Sequence, residues 1–561
     1  MSNFWGSLQL DRAHYISEYH IQKVLDEIKE FCAKKDFTTL LEKEQKISFL
    51  NQLVDFLYNN LNVEIEKYNS PHLLKALILK YESLVFNREH FRMRLPAKIS
   101  CYGWDEGSQE LSVKEKQFTE SGIAYRSLIE YIAARSINKA SKYAGNEDID
   151  YMLSIMFLIV NHGTISDAIR EDVSNHVIEK LESGRLGIYD DDFSNHLDLF
   201  TDAHYFDLAE NHIKSFDSFF RKQGETATQA NKVRLCELKD IDLAFMTDWN
   251  VSLTQIYSYI GAMYGLCVDN HKSVMDMSLG ELQVEIMNRS EDKNLDSIRS
   301  FIDKFSLKER NNPLVAPDGY KNYEVYPWAY NREFSYLRRC IIQYQSNGEI
   351  YCVFGFRALI SAVHQMHFLV NEGKLKHGGV AIEKLQGNIL SEKGKVFNED
   401  VRSFLKTIPY YLVADYDVSI KRNGNLTADQ DYGDIDVFVY DKKHNCVFNI
   451  ECKNTSVAKN AKEMRKEIDD YLGENKKDNK KSLAQKHYRR HSWLRDNIKQ
   501  VREFFKIEND ACVYSFLVTA TSIPTTFLKK EKLPLPIFSF NDVKVKGVDY
   551  IYGEIISFFK N

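Results

Sequence analysis

Residues 433–453 read GDIDVFVYDKKHNCVFNIECK, a pattern that admits few folds. Two apolar runs, Asp434–Tyr440 and Cys446–Lys453, flank a charged turn and predict a β-hairpin. Strand side chains alternate between faces, so Glu451 and Lys453 share one face of the second strand while Ile450 and Cys452 take the other. Asp434 and Asp436 interrupt the first strand. Charged groups at the end of an apolar strand are costly to desolvate unless something uses them. The register that pairs Tyr440 with Val447 also sets Asp436 opposite Glu451, whereas a slip of one residue sets it opposite Ile450 and parts the carboxylates. In the first register two carboxylates meet beside one ammonium. That is the make-up of a divalent-cation site with a cation at its edge.

Such a site suits phosphodiester hydrolysis. Two hard oxygen ligands, Asp436 and Glu451, hold Mg²⁺ and leave room for water and a phosphate oxygen. The metal acidifies that water and neutralises charge on phosphorus. Lys453 can orient the water or stabilise the developing negative charge. Asp436 followed, after fourteen intervening residues, by Glu451-Cys452-Lys453 resembles the D-x(n)-(D/E)-x-K signature of the restriction-endonuclease-like PD-(D/E)xK nucleases. Gly433-Asp434-Ile435 matches the G-(D/E)-hydrophobic lead-in of that superfamily, although no proline precedes Asp436.

The flanking sequence fits the same resemblance. Residues 393–405 carry apolar side chains at 397, 401, 404 and 405 and predict an amphipathic helix. Pro409 closes it, and Tyr410–Ile420 reads as a strand. Beyond Lys453 the pattern predicts helices over about 456–472 and 483–507 and a strand over Ala511–Thr519. The order α-β-β-β-α-α-β resembles the nuclease core and covers roughly residues 390–540. The resemblance implies a Mg²⁺-dependent endonuclease, Mn²⁺ substituting, acting on DNA, with double-stranded DNA preferred. It also implies a third acidic ligand from the first helix, for which Glu399 is the candidate, with Glu392 behind it.

Extending the apolar stripe Leu483, Leu494, Ile498, Val501, Phe505 places His487, Arg490 and His491 on the inward side of their helix. Beside a metal site that side is expected to face phosphates, with Arg490 clamping them and His487 in contact with a phosphate or a metal-bound water. Ser482-Leu483-Ala484-Gln485 is a capping box, which gives Gln485 a local role. Residues 453–507 hold 16 basic against 8 acidic side chains, although the whole chain is −6. Lys476, Lys477, Lys480, Lys481 and Lys486 are therefore expected to form a phosphate-backbone footprint. A non-cleaving nucleic-acid-binding or sensor protein is the competing expectation, and it need not keep Asp, Glu and Lys together.

From Pro96 to Pro313 the chain has no proline, and periodic apolar runs such as Tyr151–Val160 fill the span. This predicts a large all-α N-terminal region over 1–310, a connecting segment over 311–389 and a C-terminal α/β restriction-endonuclease-like domain with a small mixed sheet over 390–561. Glu349–Gly355 reads as a strand and Phe356–Asn371 as a helix. Asp190-Asp191-Asp192 reads as a loop or a helix cap. The helical region is expected to hold a regulatory partner or a second copy of the chain, and an appended helical region suits regulated cleavage, as in prokaryotic defence against foreign DNA. Nine cysteines without a CxxC pair argue against a zinc ribbon or a disulfide framework. With no signal-like segment at Met1-Ser-Asn-Phe-Trp and no apolar run of spanning length, a cytoplasmic protein without membrane contact is expected.

Overall fold

The computed structural model describes residues 10–204, 239–473 and 482–560. They fall into two compact units, the first comprising 10–170, 176–189 and 239–387 and the second 171–175, 190–204, 388–473 and 482–560.

The first unit is built on long helices, among them Lys43–Ile65, Ser70–Tyr102, Trp104–Ala133 and Asn146–Arg170. Asn146–Arg170 is apolar around its whole circumference, and such a helix belongs in a core. Among the described residues it is the one helix long and apolar enough to cross a membrane, and 67% of its apolar window is buried within the structure. Gly163 lets the helix receive the Trp328 indole, since a Cβ at that position would lie 2.3 Å from the ring.

The expectation of an all-α region over 1–310 needs correction. Thr39–Leu40, Val177–Lys180 and Leu186–Tyr189 form one antiparallel sheet. A second sheet has the order Val274–Ser278, Glu349–Gly355, Ile341–Ser346, Ser306–Leu307. Its central hairpin turns at Asn347-Gly348, with φ of 52° and 83°, the left-handed pair that a two-residue hairpin turn demands. The strand Glu349–Gly355 and the helix Phe356–Asn371 have the expected bounds. They lie inside the first unit, so residues 311–387 are part of a packed body rather than a connecting segment. Val173, Phe193 and Leu197 also depart from expectation, packing in the second unit with Ala458, Met464 and Leu528. Asp190 caps the chain there, accepting the N–H groups of Phe193 at 3.0 Å and Asn175 at 2.7 Å.

The second unit is a three-layer α/β/α arrangement. Its strands are β1 (Tyr411–Val413), β2 (Val418–Lys421), β3 (Leu426–Thr427), β4 (Gly433–Ile435), β5 (Val437–Asp441), β6 (Cys446–Lys453), β7 (Cys512–Thr519) and β8 (Ile537–Ser539). Its main helices are α1 (Val380–Lys406, which carries the boundary between the units), α2 (Ala461–Leu472), α3 (Leu483–Asp496), α4 (Ile498–Phe505), α5 (Phe540–Val545) and α6 (Val548–Lys560). The main sheet has the order β8-β7-β6-β5-β1. β5 runs antiparallel to both of its neighbours, β1 and β6, while β6, β7 and β8 run parallel. Phe397, Val401 and Leu405 of α1, with Ile551 and Ile555 of α6, cover Val437, Val439, Phe448, Ile450 and Cys452 on one face. Trp493 and Leu494 of α3, with Val501 and Phe505 of α4, cover Phe438, Val447 and Val513 on the other. A sheet covered on both faces reads as continuous apolar runs rather than strict alternation.

Tyr410–Ile420 is not one strand. It divides into β1 and β2, and β2 leaves the main sheet to pair with β3 and β4. The helix expected over 483–507 breaks at Asn497 (φ −113°, ψ 33°) into α3 and α4.

Candidate active site

Burial decides the face of every β6 side chain. Cys446, Phe448, Ile450 and Cys452 point to the α1 side. Val447, Asn449, Glu451 and Lys453 therefore point to the α3 side, and polarity rises along that row. Val447 is in the apolar cluster with Phe505. Asn449 donates from Nδ2 to Ser515 Oγ at 2.9 Å. Glu451 and Lys453 end the row with charge.

The β5–β6 register pairs Val437 with Ile450 and Tyr440 with Val447. Its continuation sets Asp436, at the bend between β4 and β5, opposite Glu451, and the Cys452 N–H donates to Asp436 Oδ2 at 2.8 Å. The carboxylates therefore share a face, as the alternation pattern requires. Lys453 Nζ lies 2.7 Å from Glu451 Oε1, and Arg490 Nη1 donates to Glu451 Oε2 at 2.7 Å. The same Nη1 donates to the Asp434 carbonyl at 2.6 Å. Arg402 Nη2 donates to the Asp436 carbonyl at 2.8 Å.

These neighbours drive the two carboxyls apart. Burial, then the adjacent Glu451 charge, pushes Asp436 up to about 6. Burial would raise Glu451 too, but Arg490 and Lys453 outweigh it and hold Glu451 down at about 2. Lys453 is raised: burial opposes its charge, yet Glu451 and Asp436 together prevail. The centre at neutral pH is one firmly ionised carboxylate, one carboxylate under strain from burial and repulsion, and a half-buried ammonium.

Other expected residues stand differently. Among the described residues no three His, Cys, Asp or Glu side chains come together as a metal-binding group. Glu399 is largely exposed and accepts from Arg402 Nη1 at 2.7 Å, so it reaches the site only through Arg402. Glu392 pairs with Lys395 at the surface. His487 was expected at a phosphate. Instead it is buried, with Nε2 against the Phe516 carbonyl at 3.1 Å, and burial lowers it to about 3. Arg490, the expected phosphate clamp, is buried and committed to Glu451 and Asp434. His491 meets Ser515 Oγ at 3.1 Å. Lys486 is exposed on α3, and Gln485 completes the capping box with Ser482. Lys476, Lys477, Lys480 and Lys481 lie outside the described residues.

Two contributors were not singled out from the sequence. Arg402 joins Glu399, Asp417 and the Asp436 carbonyl through its two terminal nitrogens. Its sign in the sequence was its place beside Val401 on the apolar stripe of α1. Asn449 was signalled by a carboxamide in the middle of an apolar strand. The described cysteines are all free.

No curated protein and no solved structure matches the chain. The family model described as anti-phage protein Upx-like matches residues 29–536. That match spans most of the 561 residues and both units, so the chain belongs to the Upx-like family of anti-phage proteins, whose role is defence against phage.

Proposed function

We propose that the second unit is a metal-dependent nuclease that hydrolyses phosphodiester bonds of DNA during phage defence. The observation that carries this reading is the single register that gathers Asp436, Glu451 and Lys453 on one face at the end of β6. The strand order β1-β5-β6-β7, with α1 before it and helices between β6 and β7, agrees with the restriction-endonuclease-like core that the motif implies. The donors fit a hard divalent cation: a carboxyl pushed up to about 6 by burial and a second carboxylate is one that a cation would relieve. Asp436 and Glu451 would hold Mg²⁺, or Mn²⁺ in its place, which when bound supplies an acidified water and charge neutralisation at phosphorus. Lys453 keeps a part-exposed ammonium beside Glu451, which would serve a water or a phosphate oxygen of the bound substrate. Arg490 is a positioning residue that fixes the Glu451 carboxylate against the β4 backbone.

One observation favours the second reading, a non-cleaving nucleic-acid-binding or sensor protein: both Glu451 oxygens already accept from cationic side chains. A nuclease assay on plasmid and linear DNA, with Mg²⁺ or EDTA, separates the two. Wild type should cut only with metal. Asp436→Ala should bind without cutting. Lys453→Ala should keep binding and lose about 10²–10⁴-fold in rate, the range for a positioned proton-transfer group. Cleavage that survives both Asp436→Ala and EDTA overturns the metal-site reading.

A further inference from the structure

An open groove of about 530 Å³ lies on the second unit between the outer side of α3 and the segment from β3 to β4. Its volume is within the roughly 300–1,000 Å³ of small-molecule sites. Arg489, Tyr432, Trp493, Asp429, Asp496 and Asn497 are among its lining residues. Arg489 follows a different course from its neighbour. Successive helix residues point about 100° apart, so Arg490 enters the carboxylate site while Arg489 faces the groove.

The groove wall is built rather than incidental. The Arg489 guanidinium lies over the Tyr432 ring, 4.5 Å from its centroid. Gln430 ties the two together, donating from Nε2 to the Tyr432 hydroxyl at 2.8 Å and accepting from Arg489 Nη2 on its Oε1. The Trp493 ring stands 5.7 Å from that of Tyr432. The two rings are tilted 44° to each other, so the stacking surface is the Arg489 guanidinium layered on Tyr432, with Trp493 at its edge. The acids beside it exclude phosphate, since Asp429 and Asp496 are exposed and would repel it. Asp429, and Asp496 beside its own contact with Arg495, could accept from ring amino groups, which suits a nucleobase better than a phosphate.

We propose that this groove takes an unpaired or extruded base of the substrate strand, stacked on Arg489 and Tyr432. The proposal rests on the nuclease reading for its strand, though not for its base chemistry. Asp436 is four residues beyond Tyr432, which an extended chain spans in at most roughly 14 Å. The base therefore belongs to a nucleotide close along the strand to the scissile phosphate.

The test uses the full chain carrying Asp436→Ala, so that the probe survives. The probes are a single-stranded oligonucleotide containing 2-aminopurine and free 2-aminopurine riboside monophosphate. The oligonucleotide should bind with quenched 2-aminopurine fluorescence. Adding Arg489→Ala or Tyr432→Ala should remove most of the quenching and weaken binding about 5–100-fold, the range for loss of one stacked base. Tyr432→Phe keeps the ring and should keep the quenching. If Tyr432→Ala does not fold, Arg489→Ala on the helix surface decides alone. Quenching and affinity unchanged in Arg489→Ala overturn the proposal. So does a fall of about one in the salt-dependence slope for Arg489→Ala, which marks a phosphate contact. If wild type cuts DNA while quenching ignores Arg489, the groove proposal fails and the nuclease stands. If no oligonucleotide binds but the free nucleotide is quenched in an Arg489-dependent way, the substrate-strand proposal is overturned, and the cleavage assay decides the nuclease reading separately.

Discussion

Asp436→Asn should make the protein more stable and inactive at once. Ionised Asp436 is disfavoured in the folded chain by burial and by Glu451, so its carboxyl moves from 3.8 to about 6. That displacement amounts to about 3 kcal/mol against the charged form above both values. Repulsion is shared with Glu451, so one substitution recovers only part of it, about 1–3 kcal/mol. Asparagine keeps an oxygen for the Cys452 N–H and removes the charge. The sign follows from linkage. A carboxyl whose folded value is raised carries no penalty below the unfolded value of 3.8, and the penalty is complete above about 6. The gain in Asp436→Asn should therefore be full at pH 8 and vanish as the pH falls to about 4. The assay is thermal unfolding in EDTA at pH 8 and pH 4.5, where about 1 kcal/mol corresponds to 2–4 °C for a body of this size. Mg²⁺ should then raise the wild-type transition and leave that of Asp436→Asn nearly unmoved. Equal or lower stability of Asp436→Asn at pH 8 in EDTA would refute the reasoning, because the carboxylates would not then be repelling each other in a buried site.

Arg490→Ala leaves Glu451 buried with Lys453 as its remaining close cation, and it should cost about 2–4 kcal/mol in denaturant unfolding at pH 7.5. Glu451 is held down mainly against its own burial by Arg490, so it contributes stability above 4.5 that is lost as the pH falls toward about 2. In Arg490→Ala that acid-side loss should shrink, and an unchanged acid limb would count against the ion pair. His487 is lowered to about 3 by burial, so it supports the fold above its unfolded value of 6.5 and withdraws that support as the pH falls through the acid range. Its ring-proton NMR signals should not move between pH 8 and 5, and a midpoint near 6.5 would place the imidazole in water.

Local patterns carried much of this protein. A period of two at 446–453 put Glu451 and Lys453 on one face, while the sequence left two hairpin registers open and the structure selected the one that faces Asp436 with Glu451. The apolar stripe at 397, 401 and 405 placed α1 on the sheet. These are properties of neighbours along the chain, and burial enforces them because a slip of one residue would expose an entire row. The strand Glu349–Gly355 was legible by itself, yet its hairpin partner and the outer strands Val274–Ser278 and Ser306–Leu307 come from elsewhere along the chain. No local period reports such a pairing, which is why a region rich in helical pattern holds sheet as well.

Charge partners were decided by the tertiary structure alone. Helical periodicity turned Arg490 and His487 inward, but it was the packing of α3 over β6 that gave Arg490 to Glu451 and sealed His487 beneath Phe516. The resemblance implied Glu399 as a third acid at the metal site, and Arg402, three residues on, holds it at the surface. Which residues share a face follows from backbone geometry repeated every two or 3.6 residues. Which cation meets which anion depends on contacts between segments distant in sequence, where desolvation makes each pairing costly to leave unmade.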